Sequence, residues 1–568
     1  MSSSNNKLRL DKISGMFSTK ALYEAHSVKP KTRVELRMIK ASAFIRSTSE
    51  WANELNNEEK CQEWTTQVKD TFNVVDEEVE YVFEELKYYA LLKENCVAGE
   101  ELGAIDNMWI ANAARNCELA EEFKRNSAVL ESDLMQAATN AGAVAPLTGL
   151  QALVDPFLYP LRTRVSCILT KPVELPEDSL NLELPRVKPG CLEAWYQAIK
   201  DFNSCQSNSG TEFDSRELSQ LINGSDVRIP DELYKSWLPT DFNVNGDGSV
   251  TIRSYINNLH PVRYAALYQS ISKVFAKFVP LLEQVATDMV HPRDLRAEFS
   301  RDAIIDPDMD DPYDVLDNPY DVLGDPYDIL DTAIHAKEIP EEYQRYIITS
   351  TRMSGNTSEK EVSFNWDAYH EACDEAGIYR EPVPKPFHPA DRPLKPYTMC
   401  GMPLQASIEM SSILLMPENP THPEGEWQAV GRAEERIFAV GLYFYDVENI
   451  VSAKLKFRDP VWRNKFNGPE DFYDFYKSHD VESKSTQSCY YSQEVGEADI
   501  KSGSYVCYPN FYQTKMPMFE LADPTQPGHV KYIAFYIVDP AQRLVSTEIV
   551  PPQQPHWIGT TASPDGTE

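Results

Sequence analysis

The stretch Gly425-Glu426-Trp427-Gln428-Ala429-Val430-Gly431, followed after four residues by Arg436-Ile437-Phe438-Ala439-Val440-Gly441-Leu442-Tyr443-Phe444-Tyr445-Asp446, decides how this chain folds. Both alternating faces of residues 437–445 are apolar, which predicts a strand buried on two sides. Two further apolar runs, at 505–508 and 532–538, are set off from it by turns rich in Gly, Pro and Asn. Short strands at that spacing predict a β-sandwich or jelly roll. Upstream, residues 404–410 and 413–416 open the strand-rich part.

Composition narrows the function classes. The chain has 568 residues, 42% of them hydrophobic and 11% aromatic, enough for a large packed core. Its 88 acidic residues outnumber 54 basic ones and give a net charge of −34. Such a surface repels nucleic acid and anionic membranes, so neither is expected as a partner. No run of about 18 apolar residues predicts a membrane span. The opening residues lack the apolar core of a secretory signal. The ten cysteines form no C-x-x-C pair, which fits reduced thiols and a cytoplasmic location.

Along the chain, Thr32-Arg33-Val34-Glu35 has the form of a capping box opening a helix. Residues 76–92 repeat a helical apolar stripe through Val79, Val82, Phe83, Leu86 and Tyr89. Pro-rich residues 156–190 read as linker or edge segments. Asn243, Asn245, Asp247 and Gly248 mimic the start of a calcium loop, but Ser254 stands where the bidentate Glu belongs. The preferred reading is a hairpin, strands 241–244 and 249–253, turning at residues 245–248. A long helix is expected from about residue 262, kinked or restarted by Pro280.

Residues 311–331 repeat with period seven: Asp311-Pro312-Tyr313-Asp314-Val315-Leu316-Asp317 and two further copies. A Pro in each copy forbids a continuous helix. The plain reading is a duplicated surface loop. The sharper one is an interaction strip, with Tyr313, Tyr320 and Tyr327 as anchors beside Asp314, Asp321 and Asp328, repetition giving avidity.

The expected fold is α+β, a helical N-terminal region plus a C-terminal double-stranded β-helix (jelly-roll) core. The expected division is a polar segment 1–30, a helical region 31–155 and a mixed region 156–300 holding the hairpin and long helix. An acidic repeat loop 301–335, a connecting region 336–400, the core 401–558 and a tail 559–568 follow.

Several strings resemble one family, the fungal and bacterial domain of unknown function 4246. They are Gly425 to Gly431, Tyr443 to Ile450, Tyr508-Pro509-Asn510-Phe511-Tyr512-Gln513-Thr514-Lys515, Pro527-Gly528-His529-Val530-Lys531 and Val550-Pro551-Pro552-Gln553-Gln554. Ser254-Tyr255-Ile256-Asn257-Asn258-Leu259-His260-Pro261 carries the likeness upstream, and residues 32–51 and 74–93 do so less specifically. The resemblance implies an iron(II) and 2-oxoglutarate dependent oxygenase fold: a His-x-Glu, a later His and a cosubstrate-binding Arg on short strands. This chain departs from that pattern at each position. Gln428 and Thr514 stand for the two His, Val430 for the Glu and Val530 for the Arg. A literal His422-Pro423-Glu424 lies six residues earlier and, with His529, offers a relocated set. Asp446, Glu448 and Asn449 either line the old pocket or cap the turn after the strand, and capping is the preferred reading.

The expectation is therefore a non-catalytic member of an oxygenase-like family, structural or binding in role, with no cofactor. A protein partner or self-assembly suits it. The alternative is an oxygenase with an altered metal site using iron(II) and 2-oxoglutarate.

Overall fold

The computed structural model describes residues 30–48, 50–96, 99–112, 118–140, 149–162, 166, 235–298, 323–324, 326–335, 339–354, 357–375, 381–462, 479, 482–483 and 490–554. In chain order the elements used below are helices α1 (Arg33–Arg46), α2 (Glu58–Phe72) and α3 (Asp76–Glu94), then β1 (Glu101–Leu102), β2 (Trp109–Asn112) and α4 (Glu118–Asn140). Next come β3 (Gly149–Val154), β4 (Thr240–Val244), β5 (Val250–Ile252), α5 (Ala265–Val290), β6 (Pro403–Leu415), β7 (Ile437–Glu448) and β8 (Ala453–Trp462). The last are β9 (Glu482–Ser483), β10 (Tyr490–Ile500), β11 (Ser504–Pro509), β12 (Gln513–Lys515) and β13 (Gly528–Val538).

The architecture is mixed α+β. One large sheet runs β1-β2-β11-β7-β13-β6-β4-β5, with β3 also paired to β6, and a smaller one runs β9-β10-β8-β12. Every residue of β7 but its last is buried, as its two apolar faces require. Val440, Leu442 and Phe444 share one core with Leu455 and Phe457 of β8 and Val495 and Ala498 of β10, between the two sheets. Ala439, Tyr443 and Tyr445 face the other way, into a core shared with Phe275 and Phe278 of α5 and Phe123 of α4. The alternation of a strand thus builds three layers: helices, large sheet, small sheet. Gly441 lets α5 lie close, because a Cβ there would meet the Phe278 ring at 2.9 Å.

The capping box of α1 is present. The Thr32 hydroxyl accepts the Glu35 N–H (3.1 Å) and the Glu35 carboxylate accepts the Thr32 N–H (2.8 Å). The same region is locked to the small sheet by buried charges. Lys31 reaches Asp459 of β8 at 3.0 Å, and Arg296 holds Glu85 of α3 and Asp106 at 2.8 and 2.7 Å. The hairpin at β4 and β5 forms as expected, antiparallel, with Gly248 at φ +85° in its turn.

Three expectations need correction. Residues 31–155 are not purely helical, since β1, β2 and β3 lie there, and β4 and β5 lie in 156–300. β2, β3 and β4 pair with strands from the C-terminal part and β1 and β5 extend the sheet beyond β2 and β4, so the sheet is not confined to 401–558. They cover edges that β6 and β11 would otherwise leave unpaired. Pro280 does not restart α5, which runs through it as one element; packing on both sides of that turn outweighs one lost hydrogen bond. The third repeat copy is not loop but enters a helix, Pro326–His335. Proline is tolerated at a first helical position, whose N–H has no partner in any case. The first two copies, with Tyr313, Asp314, Tyr320 and Asp321, lie outside the described residues, as does the side chain of Tyr327. Asp328 is exposed on the helix.

Candidate functional site

Backbone pairing brings together two of the positions singled out by sequence. Gln428 and Thr514 form an isolated antiparallel bridge, exchanging both backbone hydrogen bonds at 2.9 Å. Residues paired this way project their side chains to the same face as near neighbours. Thr514 also pairs with Phe457, which lies wholly in the inter-sheet core. Two residues on, Val430 packs against that core. Its carbonyl is held by the Asn510 side-chain amide at 2.8 Å. Val530, between Ile413 and Val447 across the ladder, is fully buried in the same core.

The donor set offers little to a cation. Gln428 is exposed and neutral, Val430 and Val530 have no donor, and Thr514 offers a neutral hydroxyl near the Tyr508 phenol. Burial pushes that phenol above its usual range. Farther along the inner face, Glu409 of β6 accepts from Tyr536 (2.6 Å), Tyr532 (3.2 Å) and Ser411 (3.0 Å). Iron(II) with 2-oxoglutarate needs imidazole and carboxylate ligands arranged around open positions. The residues at these four positions do not fit that group.

The relocated set does not assemble. His422 pairs with Phe519 in a two-strand ladder, and burial lowers its pKa. Glu424 is engaged by Lys515 (2.6 Å) and Lys456 (3.3 Å). His529 bonds Asp446 at 2.7 Å. Among the described residues no group of three His, Cys, Asp or Glu side chains is placed to hold a metal.

Asp446 is not a turn cap. It pairs with Lys124 of α4 at 2.8 Å as well as with His529. Burial pushes its carboxyl up, but the hydrogen bonds from His529 and Lys124 outweigh that and hold it at about 2. Asn449 does the capping, at φ +50°, giving its amide to the carbonyls of Asp523 and Gln526 (2.9 Å each) and taking the Asp523 N–H.

Sequence reasoning missed what the most distinctive strings do. The Gln554 amide donates to the side-chain carbonyls of Asn257 (2.9 Å) and Asn258 (2.8 Å), and the Tyr255 phenol donates to the Val550 carbonyl (2.9 Å). The two strings close into one clasp. Their amide residues were the signal, because paired Asn and Gln side chains satisfy backbone groups that apolar residues cannot.

No curated protein matches the sequence. A solved structure titled selenomethionine-labelled Fe(II)/α-ketoglutarate-dependent dioxygenase TqaL aligns at 9% identity over 30% of this chain, with a TM-score of 0.13. The match spans about half (53%) of that chain, and so loose a likeness carries no weight on fold or chemistry. The family comparison is of another order. Residues 76–561, which include the clasp, the Gln428–Thr514 bridge and the Asp446–His529 pair, match the model described as "Protein of unknown function (DUF4246)", and the chain belongs to that family.

Proposed function

We propose that this chain is a binding and assembly protein built on a double-stranded β-helix whose metal site has been lost. The observation that carries the reading is the Gln428–Thr514 bridge. It brings together two positions where the resemblance puts ligands, and it does so without imidazole or carboxylate. Val430 lies two residues along, beside the start of β7, and Val530, where the resemblance puts an Arg, is buried at the other end of that strand. The large and small sheets packed over one core support the jelly-roll reading. A paired backbone that carries no imidazole or carboxylate favours a scaffold. The four described cysteines, Cys61, Cys96, Cys400 and Cys507, are unpaired, which suits a reducing, cytoplasmic setting.

The test is anaerobic binding of iron(II) and 2-oxoglutarate to the full chain, followed by calorimetry and by metal analysis after dialysis. The reading expects neither to bind stoichiometrically. One equivalent of each, held through dialysis, would overturn it and point to ligands outside this set.

A further inference from the structure

The clasp presents something. The turn Asp155-Pro156-Phe157-Leu158-Tyr159-Pro160 has four backbone carbonyls held by side-chain amides. Asn258 donates to Asp155 (2.8 Å) and Leu158 (2.7 Å), and Asn257 to Leu158 (3.0 Å) and Tyr159 (3.2 Å). Gln553 donates to Tyr159 (2.8 Å) and Pro160 (3.0 Å). Tyr159 is fixed at φ +50°, a costly conformation for a bulky residue that persists only where its surroundings enforce it.

This rigid turn exposes large apolar side chains. Phe157 is 67% exposed, Leu158 53% and Tyr159 38%. Phe157 meets Trp237 edge-on at 5.2 Å, which joins the turn to the inter-sheet core through Tyr536. Cations rim it. Arg162 and Lys235 are paired across the adjacent two-strand ladder, and Arg432 reaches the Lys235 carbonyl at 3.5 Å; all three are exposed. Two acids beside it are engaged with backbone, while Glu434 is exposed. Asp155 accepts the Phe157 N–H (2.8 Å), and Glu435 accepts those of Trp237 (3.0 Å) and Arg432 (2.7 Å). On a chain of net charge −34, an apolar turn rimmed by three cations is the opposite of the average surface.

The acidic repeat has the complementary chemistry, and its third copy shows how such a segment docks. Ile329, the counterpart of Val315, is buried against Tyr346 and Tyr369. Arg345 lies over the Tyr346 ring at 4.9 Å. Aromatic rings with a neighbouring cation hold this copy, and the Phe157 turn offers the same combination.

We propose that the turn Phe157-Leu158-Tyr159, with Arg162, Lys235 and Arg432, is a docking surface for the first acidic repeat, residues 311–317, of a second copy of this chain. A turn already fixed in place loses little freedom on binding. The cations steer the carboxylates of Asp311, Asp314 and Asp317, and the apolar side chains take Tyr313 and Val315. The proposal deepens the assembly reading and rests on it.

The experiment measures fluorescence polarisation of a labelled peptide of residues 308–322 against the full chain lacking residues 311–317. Sedimentation of the intact chain is measured alongside, with and without unlabelled peptide. The expected results are saturable binding that weakens with salt, and a concentration-dependent mass that the peptide reverses. Phe157→Ser, and separately Arg162→Glu with Lys235→Glu, should each weaken peptide binding by about tenfold or more; the charge variant should leave the melting curve unchanged, since both its side chains are exposed. No peptide binding, or binding indifferent to both variants, would overturn the proposal. Peptide binding by a chain whose mass never changes would overturn the second-copy assignment, because the repeat would then dock within one chain. Binding of phosphatidylserine vesicles in place of peptide would overturn the choice of partner. Iron and 2-oxoglutarate binding alone would sink the scaffold reading and leave the peptide result standing.

Discussion

The clasp and the Gln428–Thr514 bridge are both parts of the same family match, yet they differ in what their side chains do. In the clasp, Asn257, Asn258, Gln553 and Gln554 each have a partner, and every bond closes a turn or joins the chain's end to its middle. At the bridge the backbone is paired, while the side chains are one exposed amide and one hydroxyl, with Val430 two residues on. The contrast separates two reasons for a string to resemble a family. Residues that satisfy buried carbonyls are costly to change whatever the protein does. Residues that hold a cofactor lose their constraint once the cofactor is no longer used.

The sharpest way to break the comparison is to place metal-ligand side chains at the bridge. Gln428→His, Val430→Glu and Thr514→His together should raise cobalt(II) or iron(II) affinity at least about 100-fold, roughly 3 kcal/mol, by equilibrium dialysis. No gain would mean that the three positions do not converge as the pairing indicates. The complementary measurement is stability. Asn257→Ala removes one of the two bonds held by each of the Leu158 and Tyr159 carbonyls and one of the two made by the Gln554 amide, and should cost about 2–3 kcal/mol in urea unfolding. Gln428→Ala, at an exposed side chain, should change stability by no more than about 0.5 kcal/mol. Equal losses at the two sites would erase the distinction.

How much could be read beforehand follows the same division between local and distant. The strand at residues 437–445, the capping box at Thr32 and the hairpin at Gly248 are written in period, cap and turn chemistry within a few residues. Strands β1, β2 and β3 are short and lie among helices; they exist because distant strands offer edges to pair with. Gln554 and Asn257 are 297 residues apart, so their clasp has no local signature. Arg296, Glu85 and Asp106 look like ordinary surface charges in sequence, and only packing makes them a buried set. Asp446 was misjudged for the same reason, since its partner Lys124 sits on a helix more than three hundred positions earlier. The convergence of Gln428 with Thr514 was legible only through the resemblance.

Two buried carboxylates sharpen the comparison through pH, with opposite signs. Asp446 is held at about 2, below its ordinary 3.8, so its stabilisation is present above about pH 4 and lost as pH falls toward 2. Asp446→Asn should therefore cost roughly 2 kcal/mol at pH 7, with a difference from the parent that closes on acidification through that window. At the end of β13, Asp539 behaves in reverse. Burial raises its carboxyl to about 6, against the opposing Ala541 N–H and the Arg436 charge. Its ionised form is thus disfavoured in the fold, at a cost absent below about pH 4, growing to pH 6 and constant above. Asp539→Asn keeps an acceptor for Ala541 but leaves an amide where Oδ2 now lacks a partner among the described residues. The net gain should be about 1–2 kcal/mol at pH 8 and vanish near pH 4. A variant no more stable than the parent at pH 8 would mean that Asp539 has a partner in solution, and that the strand's end, like the amide nitrogens of the clasp and unlike the bridge side chains, is held by hydrogen bonds.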